Sequence, residues 1–323
     1  MTTFKRSDTV QSVDEQIANQ GIVMVNYLGE IAGIATSLFY ALNSVFITRA
    51  GQQVGATVSN RTRVVFALIY LMIINLVFFG QILPFNADPQ RWIWLSLSGF
   101  IGLALGDTFL FQSYLTIGPR LGNLLLSLYP IFGALEAWIF LGESLRTGQV
   151  LGILVTLAGI VWVVFERGNG GGEKIPRHVA VGVLYGVLSA VFQATGFVFS
   201  KQGMYGTFSP FQGNAIRMLA ALFGLLLIAT FQRQVGQTVT TLRENPSAFR
   251  MLMLAGFIGP VLGVSLALYA VQNAEVGVAS TLTSLAPIFM LPISHFVFKE
   301  KLNWQAIAGT LLAMTGVDIL FLL

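Results

Sequence analysis

Cysteine is absent from the 323 residues, and charge is scarce: 18 Lys and Arg with 14 Asp and Glu make up only 10% of the chain. Without cysteine there is no disulfide, no thiol nucleophile and no thiolate metal site. So little charge cannot clothe an ordinary soluble protein, in which about a quarter of residues are charged. Histidine occurs only twice, so paired imidazoles at ligand spacing are missing, as are zinc-protease and catalytic-serine patterns. These gaps argue against an enzyme and call for no cofactor. No removable leader is expected, because Lys5, Arg6, Asp8, Asp14 and Glu15 stand where its apolar core would be.

Apolar residues make up 55% of the chain, in runs near or above the roughly 20 residues that cross a bilayer as a helix. Backbone groups in lipid must be satisfied within their own segment, so such runs predict helices rather than barrel strands. The net charge of +4 comes from basic residues scattered in ones and twos through short loops. That pattern fits anionic lipid and membrane topology, not nucleic acid. The expected partners are a small-molecule substrate and membrane lipid, around a monomer or homodimer in the cell (inner) membrane.

The stretch 99–164 returns at 256–321. Both copies open on Gly-Phe-Ile-Gly, and an offset of 157 pairs Gly106 with Gly263, Ser127 with Ser284, Pro130 with Pro287, Glu143 with Glu300, Gly152 with Gly309 and Gly159 with Gly316. Earlier in each half, Gly182-x-x-x-Gly186 answers Gly29-x-x-x-Gly33, and Asn214-x-x-Arg217 answers Asn60-x-x-Arg63. The reading is a polar tail over 1–27, a first repeat over 28–167, a glycine-rich linker over 168–177 and a second repeat over 178–323. The glycines of that linker follow no strand and precede no Lys-Ser/Thr pair, so they read as a connection and not a phosphate cradle. Five apolar spans fall in each half, at about 28–47, 63–80, 92–115, 122–141 and 149–165, then 181–200, from 214, 249–271, 278–298 and 305–323. An odd number per repeat forces opposite orientations. The expected fold is an all-α membrane protein of ten transmembrane helices in two inverted five-helix repeats, with a site near the midplane.

Ionisable side chains inside a bilayer are costly and therefore functional candidates. Asp107 falls near the midplane of its span, on a face with Phe111 and Tyr114, and Glu136 shares a face with Tyr129, Gly133 and Phe140. Aromatic and small residues around a carboxylate suit an organic ammonium or a coupling proton, against the plainer reading of a carboxylate bonded to neighbours such as Thr108 and Gln112. The second copy has Val264 and Ile293 at these positions, so such a site is asymmetric. Tyr40, Asn43, Gln112, Asn123, Gln193, Tyr269, Gln272 and Asn273 are polar cavity candidates, each with helix-to-helix hydrogen bonding as the alternative. His295 faces Trp138 in the repeat register and is a candidate proton relay or a packed residue. Arg63 and Arg217 snorkel to the interface or, turned inward, hold an anion. Glu143 and Glu300, beside Arg146 and Lys301, read as turn-stabilising residues.

On Ser127-Leu128-Tyr129-Pro130-Ile131-Phe132, Leu141-Gly142-Glu143-Ser144-Leu145 and their partners Ser284-Leu285-Ala286-Pro287 and Lys299-Glu300-Lys301-Leu302, the chain resembles the drug/metabolite transporter superfamily, specifically permeases with two EamA-type domains. Arg63 and Arg217 also resemble that family's arginine early in the second span of each half. Lys299, where the first copy has Gly142, departs from the pattern. The resemblance implies a ten-helix carrier with a central cavity between the first four spans of each half, the fifth and tenth spans at the periphery, and alternating access. It also implies cytoplasmic termini, whereas the basic residues, by the positive-inside rule, favour the reverse. The expected function is transport of a small metabolite or amino acid, by export or exchange, with a proton as candidate coupling ion. The acidic deep residues point to a cationic or zwitterionic cargo. The alternatives are an anion exchanger for a phosphorylated sugar or nucleotide-sugar, using Arg63 and Arg217, and a non-transporting scaffold or sensor.

Overall fold

A computed structural model of the chain describes residues 8–141, 146–168, 176–273 and 276–322. Glu143 lies outside the described residues. Helices α1 (Asp8–Val54), α2 (Ala56–Phe79), α3 (Pro89–Ser98), α4 (Asp107–Ile117), α5 (Pro119–Leu126), α6 (Tyr129–Leu141) and α7 (Thr147–Gly168) form the first half. The second comprises α8 (Arg177–Gly203), α9 (Pro210–Phe231), α10 (Val235–Glu244), α11 (Pro246–Gly256), α12 (Ser265–Asn273), α13 (Val276–Thr283), α14 (Ala286–Phe298) and α15 (Trp304–Leu322). Among the described residues, eight helical stretches are long and apolar enough to cross a membrane, from Tyr27–Val54 to Thr281–Phe298. The protein is an all-helical, multi-pass integral membrane protein.

The boundaries follow local chemistry. Asp88 caps α3 by accepting from the Gln90 N–H at 2.9 Å, with Pro89 at the first helical position. Gly80, at φ +68, ends α2 in the left-handed turn that a side chain would resist. The first apolar span, Tyr27–Val54, begins near residue 28 as expected, on a helix that itself starts at Asp8. One expectation needs correction. The runs 122–141 and 278–298 are not continuous helices but break at 127–128 and 284–285. Pro130 and Pro287 have no N–H for the carbonyl four residues back, so the helical ladder is interrupted there.

Between α3 and α4, residues Gly99–Gly106 are wound as π-helix, and Phe257–Val264 between α11 and α12 likewise. The two stretches occupy matching repeat positions. Each is led by a glycine on which the other half's arginine rests: Gly99 lies against the Arg217 backbone, and a Cβ on Gly256 would stand 2.9 Å from the Arg63 carbonyl. Away from this centre α7 packs on α15 through glycines. A Cβ on Gly152 would fall 2.8 Å from the Gly316 carbonyl, and one on Gly159 2.7 Å from that of Gly309. Close backbone approach through small residues is how helices associate where lipid offers no hydrophobic drive.

Contacts between the halves define two ends. At one, the Tyr205 hydroxyl donates to Asp88 at 2.7 Å and Arg91 donates to the Gly203 and Tyr205 carbonyls at 3.2 and 2.8 Å. At the other, Arg120 Nε meets Glu300 Oε2 at 3.0 Å and Asn303 donates to Glu166 at 2.9 Å. These are called the Tyr205 end and the Glu300 end below.

Candidate functional site

Each half builds the same device around its π-helical stretch. A π turn displaces the regular hydrogen-bond register and leaves carbonyls that no water can satisfy in a membrane interior. Asn60 on α2 supplies the missing donor, bonding the Leu103 carbonyl and Thr108 Oγ1, each at 3.0 Å. Asn214 on α9 does the same for the Pro260 carbonyl at 2.7 Å and Ser265 Oγ at 3.1 Å. Thr108 and Ser265 are repeat partners at the offset of 157. Three residues after each asparagine, one turn further on the same helix face, comes the arginine.

The halves then diverge. Arg63 Nη2 pairs with Asp107 Oδ2, and the second carboxylate oxygen accepts from Gln193 Nε2 at 2.6 Å. The guanidinium also donates to Asn60 Oδ1 at 3.2 Å and lies over the Phe111 ring, 5.0 Å from its centre. At the repeat position of Asp107 stands Val264. Among the described residues no carboxylate comes within ion-pair distance of Arg217, and its Nε has no hydrogen-bond partner. All three charged groups are buried, with Arg63 3%, Asp107 5% and Arg217 6% exposed. Arginine keeps its proton in proteins, so two guanidiniums face one carboxylate and the site carries a surplus positive charge.

These residues line a cavity of about 110 Å³ between the halves, with Tyr40, Asn43, Tyr114, Asn123, Tyr129 and Gln193 in its wall. The breaks in both interrupted helices reach it as well: Tyr129 opens α6, and Thr283, Ser284, Ala286 and Pro287 flank the gap before α14. Tyr129 and Thr283 hydroxyls meet at 3.1 Å, joining the two breaks. The Tyr114 hydroxyl donates to Asn123 at 3.1 Å. Asn43 Oδ1 has no partner.

The structure separates other candidates from this centre. Glu136 is half-buried and accepts from the Thr195 hydroxyl on α8 at 2.7 Å, outside the cavity wall. Gln112 and Tyr269 are not in the wall either; Tyr269 packs beside Ala32 and Ala270. His295 is exposed, with Nδ1 3.2 Å from the Glu300 carbonyl. Glu300 reaches across to Arg120 on α5. The arginines are corrected in depth: α2 starts at Ala56 and α9 at Pro210, so Arg63 and Arg217 sit about 10 Å inside at 1.5 Å per residue. The roles of Asn60 and Asn214 went unread, although their spacing to the arginines and the Thr108 and Ser265 pairing were visible.

Comparison with known proteins agrees with the repeat. Residues 27–165 and 180–322 each match the EamA-like transporter family. An uncharacterized transporter of Bacillus subtilis (strain 168), YvbV, is 26% identical over 66% of this chain and 68% of its own length. Two other relatives, an uncharacterized transporter of Clostridium kluyveri and the protein LicB of Haemophilus influenzae, are matched over 44% and 46% of their own lengths. A protein of Pseudomonas fluorescens named as a probable 4-amino-4-deoxy-L-arabinose-phosphoundecaprenol flippase subunit, ArnE, is 32% identical over 30% of this chain and 93% of its own. One solved crystal structure shares the fold at TM-score 0.59 and 18% identity, covering 91% of this chain and 96% of that one. With both halves matched, the chain belongs to the EamA-like transporter family.

Proposed function

We propose that this transporter is a secondary carrier whose central cavity takes a small metabolite bearing a carboxylate or phosphate, with Arg217 as the group that binds it. The observation that carries this reading is a fully buried guanidinium facing the cavity without a counter-ion, beside an Arg63 already neutralised by Asp107. An unpaired charge in a membrane interior is expensive, and an anionic cargo would supply the missing partner. The interrupted helices add to this, because the positive ends of α6 and α14 begin at the cavity wall. The name of the probable flippase subunit of Pseudomonas fluorescens includes a phosphate-bearing lipid, which is in keeping with an acid group here.

In this reading α5 with α6, and α15, complete ten spans, and the two inverted halves rock about the cavity to expose it alternately. Asp107 is then a positioning group for Arg63 rather than a free proton carrier, since both its oxygens are engaged. The preference for cationic cargo drawn from acidic residues gives way, because the deep charges include two arginines.

The test is counterflow in proteoliposomes with labelled carboxylates, sugar phosphates, amino acids and amines, and a pH dye inside. Exchange of acid-bearing compounds that falls roughly 10- to 100-fold in Arg217→Gln is expected, the loss of a charge-assisted hydrogen bond. Exchange of simple amines alone, undiminished in Arg217→Gln, overturns the reading. Proton movement abolished by Asp107→Asn would return Asp107 to a coupling role.

A further inference from the structure

A second cavity of about 300 Å³ opens at the Tyr205 end, lined by Ser200, Lys201, Tyr205 and Gln272 among others. It shares two residues with the central cavity, Phe197 and Leu268. The sharing follows from helix geometry. On α8, Gln193, Phe197 and Lys201 stand one turn apart; on α12 and the π-helical turn before it, Val264, Leu268 and Gln272 do the same. Two helix faces thus line both cavities, from the buried site to the Tyr205 end, about 12 Å by rise from Gln193 to Lys201. Along α8 the chemistry changes from polar to apolar and back to polar, while on the other face Val264 and Leu268 are both apolar and only Gln272 is polar. Phe197 is held in place by Tyr129, whose ring centre lies 6.1 Å away.

We infer that this outer cavity is a vestibular binding site for the acid group of the cargo, with Lys201 as its cation and Phe197 and Leu268 as the apolar plug between it and Arg217. The inference rests on the anionic reading of the central cavity. Lys201 is exposed and has no ion pair among the described residues. At the rim Arg91 stacks over Tyr205, 3.7 Å from the ring centre, and the Tyr205 hydroxyl is bonded to Asp88. Among the described residues these two cations and one carboxylate leave a net positive charge at the mouth, matching the central site. Gln272 donates to the Phe208 carbonyl at 2.8 Å, leaving its own carbonyl oxygen as an acceptor for a cargo hydroxyl or ammonium. At the repeat-related positions on α1 and α4 stand Ser44 and Phe111, both buried.

The absence of native cysteine makes the test direct, since an introduced thiol has no background. Gln272→Cys reports the vestibule and Val264→Cys the central wall, with Ala267→Cys as an independent inner thiol. Each full-length variant is reacted with methanethiosulfonates carrying a sulfonate or a trimethylammonium group. Unit charges some 6 Å apart in water change encounter by about threefold each way. The sulfonate should therefore outpace the ammonium at Gln272→Cys by about tenfold, and adding Lys201→Gln should remove most of that ratio. Phe197→Ala should speed labelling of Val264→Cys at least fivefold and leave Gln272→Cys unchanged. Equal rates at Gln272→Cys, or a ratio that Lys201→Gln leaves intact, overturn the vestibule. An inner rate indifferent to Phe197→Ala overturns the plug. In the Phe197→Ala background, a sulfonate preference at Val264→Cys that vanishes with Arg217→Gln reports on the central reading alone, so the two ideas fail separately.

Discussion

Replacing Asp107 with Asn removes the carboxylate but nearly preserves its shape, and the cost can be worked from its surroundings. The pair it breaks is buried, with side chains 4% and 7% exposed. Removing one partner of a buried pair costs about 3–5 kcal/mol, because the other charge is left uncompensated. Arg63 keeps its donation to Asn60 and its place over Phe111, and a desolvated cation–π contact is worth about 2 kcal/mol. The lower end of that range is therefore expected, about 3 kcal/mol. Arg63→Met should cost at least as much, since the carboxylate then keeps its bond from Gln193 but loses its cation. The double variant Arg63→Met with Asp107→Leu should return to within about 1.5 kcal/mol of the parent, as well-packed apolar replacements of buried pairs do. Chemical denaturation in mixed micelles of these four proteins and of Asp107→Leu alone, which closes the cycle with Arg63→Met and the double variant, gives the coupling. Costs that simply add in the double variant, or an Asp107→Asn loss below about 1 kcal/mol, would refute the claim that this pair is a single neutralised unit. The double variant should still prefer acid-bearing cargo, because Arg217 is untouched.

Gly316→Val pushes a side chain into α7, where even a Cβ would stand 2.8 Å from the Gly152 carbonyl. A loss of about 1–3 kcal/mol in the same denaturation assay is expected, with exchange retained below the new transition because the α7 and α15 pair lies off the cavity. Glu300→Gln leaves Arg120 without its carboxylate, so a thiol at Asn123→Cys should label faster, and the parent protein should approach that rate in high salt. At the opposite end Asp88 is held below the usual carboxylate range by the Tyr205 hydroxyl, then by the Gln90 N–H. A depressed pKa stabilises the fold above the unfolded value and loses that contribution as pH falls through the folded one. Thermal stability should thus decline below about pH 4, and less so in Tyr205→Phe.

Much of this architecture was legible in the sequence because duplication writes it twice. The offset of 157 located the π-helical stretches through their leading glycines and the helix breaks through Pro130 and Pro287, without naming either. What it misjudged was depth. Asn60, Arg61 and Thr62 fall outside a span drawn from about 63, yet they and Arg63 are all buried within α2. Hydropathy sums cannot tell a polar side chain facing water from one facing a cavity or a π turn. The Arg63 and Asp107 pair was out of reach for a related reason: each residue was weighed against its own helix, and the charge that neutralises Asp107 comes from another.

The positions where the repeat fails matter most. Had Val264 been an aspartate, both arginines would be neutralised and the cavity would hold no surplus charge for a cargo. Symmetry of the frame with asymmetry of one carboxylate leaves one guanidinium in the cavity wall, Arg217, without a carboxylate partner among the described residues. The ends obey the same logic. Arg120, which ties α5 to Glu300 at 3.0 Å, has Gly277 at its repeat position, so the Tyr205 end cannot close by an equivalent guanidinium. Its contacts across the halves are Arg91 on backbone carbonyls and Tyr205 on Asp88. One closure thus breaks an ion pair with a buried arginine and the other breaks largely exposed hydrogen bonds. In an alternating carrier such a difference biases which face rests open, and salt should move that bias through the Glu300 end alone.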